Sequence, residues 1–279
     1  MTVLVHISDL HFGRENPRLI EGLLRSLEEI QPRLIIISGD LTQRARKLEF
    51  LAARAFLESL RWPLLVISGN HDIPAYNLAD RFLRPWRKWH RYFGYTLQPM
   101  MRDTDYIAIG VNTARRSGSY FDWSRGRINS VQLGAIAAYL MEDKGERLRV
   151  VAAHHPFWLP EKYRHRRTIG GGDAALNILK KIGVDIILSG HVHFAYTRIV
   201  NGLIISHAGT AISNRVEADS PNSFTVIRGD RRRLSVHNRI WDNSSFAKKD
   251  ALVFHRIEGD WQETAQATTG NGSYGKSEG

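Results

Sequence analysis

The chain has 279 residues, 43% hydrophobic and 24% charged, enough for a sizeable core, and no apolar run long enough for a transmembrane helix. Cysteine is absent, which excludes disulfides, thiolate metal sites, iron–sulfur clusters and cysteine nucleophiles, so any metal site must use His, Asp, Asn and water. The formal net charge of +11 favours polyanionic partners, with nucleic acid, an anionic membrane surface or a phosphorylated small molecule as candidates.

The N-terminus, MTVLVHISDLH, enters a strand-like pattern at once and lacks the features of a signal peptide, so a cytoplasmic location is expected. Residues 3–7 read as a strand. A helix follows over 17–30, with Asn16 as N-cap, Pro17 at the first helical position and Leu19, Leu23, Leu27 and Ile30 on one face. Strands are predicted at 34–38 and 64–68, with a helix over 45–60 between them. Residues 81–102 are rich in arginine and aromatics and hold no acid, which suits either a cap or rim on the site or a surface helix whose aromatics pack on the core. Further strands are expected at 106–111, 149–153 and 185–189, the last preceded by a helix from about Asp173 to Gly183.

Strands apolar on both faces, each followed by a helix, imply buried parallel strands in an α/β fold. From Leu203 the pattern changes to closely spaced strands at 203–206, 223–227 and 234–237, expected to be antiparallel and to finish a second sheet. Residues 1–262 are read as one domain, and the Gly- and Ser-rich stretch 263–279 as a disordered tail.

The informative feature is where potential ligands fall. Asp9 and His11 follow the first strand in S-D-L-H, and Asp40 follows the second in S-G-D. Asn70 and His71 follow the third in S-G-N-H-D, His154 and His155 follow 150–153, and His191 and His193 stand in S-G-H-V-H. In open parallel sheets, ligands bind at the carboxyl ends of the strands, so five such ends would converge on one edge. Two divalent ions need a bridging carboxylate, several neutral imidazoles and open positions for water and substrate. In D-x-H and H-x-H, the i and i+2 side chains of an extended segment point the same way and can meet one ion. The glycines at 39, 69 and 190 would let the chain turn sharply before each ligand. An isolated D-x-H is common, but five motifs in this order, each ending a strand, identify a site.

These motifs, D-x-H, G-D, G-N-H-D, H and G-H-x-H, resemble the pattern of the calcineurin-like metallophosphoesterase superfamily over about residues 1–236. The start S-D-L-H-F-G, the H-H-P and the G-V-D-I-I-L-S-G-H-V-H stretch are most similar to the bacterial branch grouped with class III cyclic-nucleotide phosphodiesterases. The resemblance implies a two-sheet β-sandwich flanked by helices, a four-layer α/β/β/α architecture with metals at the strand ends. It implies two ions (Mn, Fe, Zn or Co), one on Asp9, His11, Asp40 and His193, the other on Asp40, Asn70, His154 and His191. His154 rather than His155 is chosen because it stands two residues before Pro156. His71 would be the catalytic residue, contacting phosphate and protonating the leaving oxygen, with Asn70 and His207 as further substrate contacts. The implied reaction is hydrolysis of a phosphodiester or phosphomonoester by a metal-bridging hydroxide. A cyclic nucleotide or other small diester is the first candidate substrate. A nuclease, a phospholipid hydrolase and a non-catalytic scaffold are the alternatives. His6 reads as a packed strand residue and His165 as part of the basic run YRHRR.

Overall fold

The computed structural model describes residues 1–264 apart from 95, 118–123, 144 and 217–219. In chain order, β1 (Thr2–Ile7) leads through α1 (Pro17–Ile30) to β2 (Leu34–Ser38), and α2 (Lys47–Ser59) leads to β3 (Leu64–Ile67). Two short helices, α3 (Leu78–Leu83) and α4 (Arg87–Phe93), precede β4 (Met100–Arg102) and β5 (Tyr106–Val111). The alternation continues with α5 (Ser130–Met141), β6 (Leu148–Ala153), α6 (Gly172–Lys181) and β7 (Ile186–Ser189). Strands then follow without helices: β8 (Tyr196–Val200), β9 (Leu203–His207), β10 (Ser223–Gly229), β11 (Arg233–Trp241), β12 (Phe246–Lys248), β13 (Leu252–Ile257) and β14 (Asp260–Thr264).

The strands form two sheets, one ordered β14-β13-β11-β10-β1-β2-β3 with β12 beside β11, the other β4-β5-β6-β7-β9-β8. Strand alternation explains how they stack. In β2, Leu34 and Ile36 enter the core between the sheets, while Ile35 and Ile37 face α1 and α2. In β6, Val150 and Ala152 face the other sheet, while Val151 and Ala153 meet α5 and α6. Three apolar layers therefore separate four structural ones, the α/β/β/α sandwich that the family resemblance implies.

Helix α1 forms where its signals place it: the Asn16 side chain accepts from Arg18 N at 3.0 Å, Pro17 opens the helix, and Leu19, Leu23, Leu27 and Ile30 are buried. Helix α5, capped by Asn129 and Gln132, has no counterpart in the sequence reading, because its apolar residues do not keep to one stripe.

The strands after Leu203 require a correction. β9 lies parallel to β7 in the second sheet, whereas β10 and β11 are antiparallel and extend the first sheet from β1. Their own pattern carries no information on which sheet they join. Strand β14 runs two residues into the stretch read as a tail, and 265–279 lie outside the described residues. Among the described residues, no helix is long and apolar enough to cross a membrane.

In the basic aromatic stretch, Trp86, Trp89, Tyr92 and Phe93 pack into the core, while Phe82 is exposed. Trp89 is buried against Phe93, and Tyr92 stacks on Phe50 of α2 with ring centroids 5.4 Å apart. Arg81 is buried too and donates to the carbonyls of Pro74, Arg115 and Arg116.

Candidate metal centre

The ends of β1, β2 and β3 in one sheet meet those of β6 and β7 in the other, and the joint is hydrogen-bonded. His154 Nδ1 donates to the Ser38 carbonyl at 2.8 Å and His191 N donates to Asp9 Oδ2 at 3.0 Å across the joint, while within the second sheet Gly190 N donates to the His154 carbonyl at 3.0 Å. All seven residues proposed from sequence as ligands are brought together here, in two groups.

The first group is Asp9, His11 and His193. His11 Nε2 stands 3.2 Å from His193 Nε2, His193 Nε2 is 3.2 Å from Asp9 Oδ1, and His11 Nε2 is 3.8 Å from Asp40 Oδ2. Ligands about 2.1 Å from a shared ion stand roughly 3.0–3.4 Å apart, so the spacing suits one ion. Asp9 Oδ1 is also buried without a hydrogen-bond donor, an arrangement too costly to keep for packing alone. The second group gathers around His154, whose Nε2 lies 3.3 Å from Asp40 Oδ1 and 3.2 Å from Asn70 Oδ1. His154, His155 and His191 each bring a nitrogen within 4.8 Å of the others. The residues present fit divalent ions with N and O donors.

His154 is better placed than its neighbour. Its Nδ1–H is fixed on a main-chain carbonyl, the outer contact that orients a metal-binding imidazole, and its Nε2 faces the carboxylate. His155 instead turns Nδ1 to the Thr113 hydroxyl at 2.8 Å. His191 and His193 do not stand in one group, in keeping with what the resemblance implies: His193 stands with Asp9 and His11, while His191 stands with His154 and His155. Nor is the chain extended there. Asp9, His11, Asp40, His191 and His193 all have φ between 46° and 72°, in the left-handed region. Each such residue costs about 1 kcal/mol or more, strain that recurs at functional sites.

The glycines also differ from expectation. Of Gly39, Gly69 and Gly190, Gly39 alone has a left-handed φ, 96°. The other two are required for room: a Cβ on Gly69 would lie 2.1 Å from Asp40 Oδ1, and one on Gly190 would lie 1.8 Å from Ser8 Oγ and 2.5 Å from Asp9 Oδ2.

Charge is arranged to suit cations. Burial opposes ionisation of Asp9 and Asp40, yet the imidazoles of His193 and His154 outweigh it and hold both carboxyls well below the usual range. Burial drives His11 and His191 down to about 3, which keeps them neutral with lone pairs available. Burial opposes charge on His154 as well, but Asp40 and Asp9 prevail and push it up to about 9.

His71 is placed beside the groups, with its ring centroid 5.1 Å from that of His11. Its tautomer is defined by its partners. Nδ1 must donate to the Gln43 carbonyl, 2.7 Å away, and Nε2 must accept from Arg215 Nη1 at 3.0 Å. Arg215 was not singled out from the sequence; nothing in the surrounding SNRVE marks it. Asp72 was also passed over. It is buried, accepts from Leu41 N, Thr42 N, Thr42 Oγ1 and Gly69 N, and so ties the loops after β2 and β3 together. Its carboxyl is pushed up to about 6 by burial and by Asp40.

Two other histidines are resolved by their surroundings. His6 is buried, with Nε2 on Ser38 Oγ at 2.8 Å, as a packed strand residue should be. His207 is buried with Nδ1 on Ser189 Oγ and Nε2 on the Trp158 carbonyl, so neither nitrogen is left for a substrate. Conversely His165, Arg166 and Arg167 of the YRHRR run reach a cavity of about 400 Å³ shared with Asp40, His193 and Arg215.

Over 95 residues the chain is 38% identical to a glycerophosphodiester phosphodiesterase, GpdQ, of Enterobacter lignolyticus, a match spanning 30% of the chain but only 33% of that protein. Over 244 residues it is 25% identical to a probable cyclic nucleotide phosphodiesterase of Ruthia magnifica, covering 83% of the chain and 95% of that protein. In fold it is similar to the purple acid phosphatase PPD1 of yellow lupin, with a TM-score of 0.68 at 15% identity over 90% of this chain and 53% of that one. The family model described as calcineurin-like phosphoesterase matches residues 2–195, and the chain belongs to that family.

Proposed function

We propose that the chain is a dinuclear phosphodiesterase in which Asp9, His11, Asp40 and His193 hold one ion and Asp40, Asn70, His154 and His191 hold the other. The observation that carries this reading is the division of Asp40: Oδ2 faces His11 Nε2 at 3.8 Å and Oδ1 faces His154 Nε2 at 3.3 Å, one oxygen for each group. When bound, two such ions supply Lewis acidity toward the phosphoryl oxygens and lower the pKa of water.

The chain's own residues do the rest. Asp72 and the main-chain bonds across the sheets hold the loops rigid, so the donors need no rearrangement. Hydrolysis adds hydroxyl to phosphorus and a proton to the leaving oxygen. His71 Nε2 is placed to pass that proton on, but while it accepts from Arg215 it carries none, so it must first take up the proton that the attacking water releases. Arg215 must therefore turn to the substrate's anion before His71 can act, which couples substrate binding to proton delivery.

A diester is favoured over a monoester by the relatives described as phosphodiesterases. The test is hydrolysis of bis-p-nitrophenyl phosphate across a series of added divalent ions, with bound metal measured by mass spectrometry. Activity should require the added ion, and Asp40→Asn should lose both turnover and metal. Full activity in that variant would overturn the reading.

A further inference from the structure

A single diester carries one negative charge, and the proposed ion positions already answer it. The facing wall of the same cavity carries Arg166, Arg167 and Arg215 with His165, and among the described lining residues Asp40 is the one carboxylate. Arginines at 166, 167 and 215 in the lining of about 400 Å³ are more basic side chains than the single charge of a scissile diester calls for.

The basic wall is built onto the ligand loop. The 3-10 turn Glu161–Arg166 is seated by Tyr163, which stacks on Phe194 with ring centroids 4.0 Å apart. Leu159, Val192 and Phe194 form a buried cluster beneath it, and Arg166 Nη1 donates to the Val192 carbonyl at 3.4 Å. Val192 is the middle residue of H-V-H, so the turn is fixed relative to His191 and His193. Arg167 is held at φ 57°, an unfavourable conformation for a non-glycine residue. Arg215, in the same lining, is tied down through its backbone N on Ser213 Oγ at 3.2 Å and its carbonyl on Thr210 Oγ1 at 3.1 Å. Arginine's planar fork matches phosphate oxygens two at a time.

We infer that this wall is a second anion site, and that the substrate carries a phosphate group besides the scissile diester. The inference rests on the phosphodiesterase reading and narrows it, since a simple cyclic nucleotide has no second phosphate to place there.

Two chromogenic diesters with the same reacting centre separate these possibilities: thymidine 5′-(p-nitrophenyl phosphate), and the same compound phosphorylated at the 3′ oxygen. The metal-loaded full chain should prefer the second by about tenfold or more in kcat/KM, the size expected of one charged hydrogen-bonded contact. The double variant R166Q/R167Q should bring the ratio close to one. Equal kcat/KM in the unaltered protein, or a preference that survives in the double variant, would overturn the inference and leave the phosphodiesterase reading intact. No hydrolysis of either compound would overturn both. A measurement without turnover keeps the test open should the double variant fold poorly: inorganic pyrophosphate titrated calorimetrically into the chelator-treated full chain. Arg167→Gln alone should weaken that binding several-fold, and no heat of binding to the unaltered chain would equally overturn the inference.

Discussion

At Gly190 and Gly69 the absent side chain matters more than any present one. The Cβ of an alanine at 190 would fall on Ser8 Oγ and Asp9 Oδ2, two atoms buried beneath the first ligand group. Gly190→Ala is therefore expected to unfold more easily by about 1–3 kcal/mol, the usual cost of overpacking, and to retain less metal. A variant with unchanged urea midpoint and metal content would contradict the geometry. His71 and Arg215 invite a paired measurement because they share one hydrogen bond. His71→Ala should reduce kcat by about 10²-fold or more while both ions stay bound, as expected for loss of a proton donor. Arg215→Ala should raise KM more than it lowers kcat; metal loss in either variant would show that these residues had been given the wrong role. The ligand identities were legible as residues because each follows an apolar run, yet their left-handed backbone was not, since nothing in D-L-H distinguishes it from an extended segment.

Among the elements, α4 and the Glu161–Arg166 turn exchange the parts that composition suggests. The aromatics of 81–102 look available for stacking on a ligand, but Trp89, Phe93 and Tyr92 fill the space between α4 and α2. Trp89→Ala should cost about 3–5 kcal/mol in stability, the range for a buried tryptophan, with little change in metal content of the folded fraction. An unaltered thermal transition would remove the packing role. The shorter YRHRR run looks like ordinary solvated charge and instead lies on the cavity wall. Sequence could not separate these two basic stretches, because both alternate charge with rings and only the partner surface decides which side turns inward.

For the molecule as a whole, acid stability follows from histidines buried where the two sheets meet. Burial lowers His6 to about 3, assisted by neighbouring His207 and opposed by Asp9, and lowers His207 to about 4. The unfolded chain binds these protons near pH 6.5, whereas the folded chain resists them until about pH 3–4. Stability is therefore fully present above about 6.5 and falls as pH drops through that window, by up to about 1.4 kcal/mol per pH unit for each group. Urea midpoints at several pH values should show this decline, and a His207→Gln variant should show a shallower one. A pH-independent midpoint between 7 and 4 would refute it. The sequence by itself determined the buried parallel strands and the donor atoms available to a metal, because local apolar period and residue chemistry act within a few residues, while the four layers came from the family resemblance. Only the tertiary structure decided that the ligand backbone turns left-handed, that β10 and β11 join the first sheet, and that Arg215 meets His71 across 144 positions. Those outcomes depend on which surfaces meet, and such contacts leave no period in the chain.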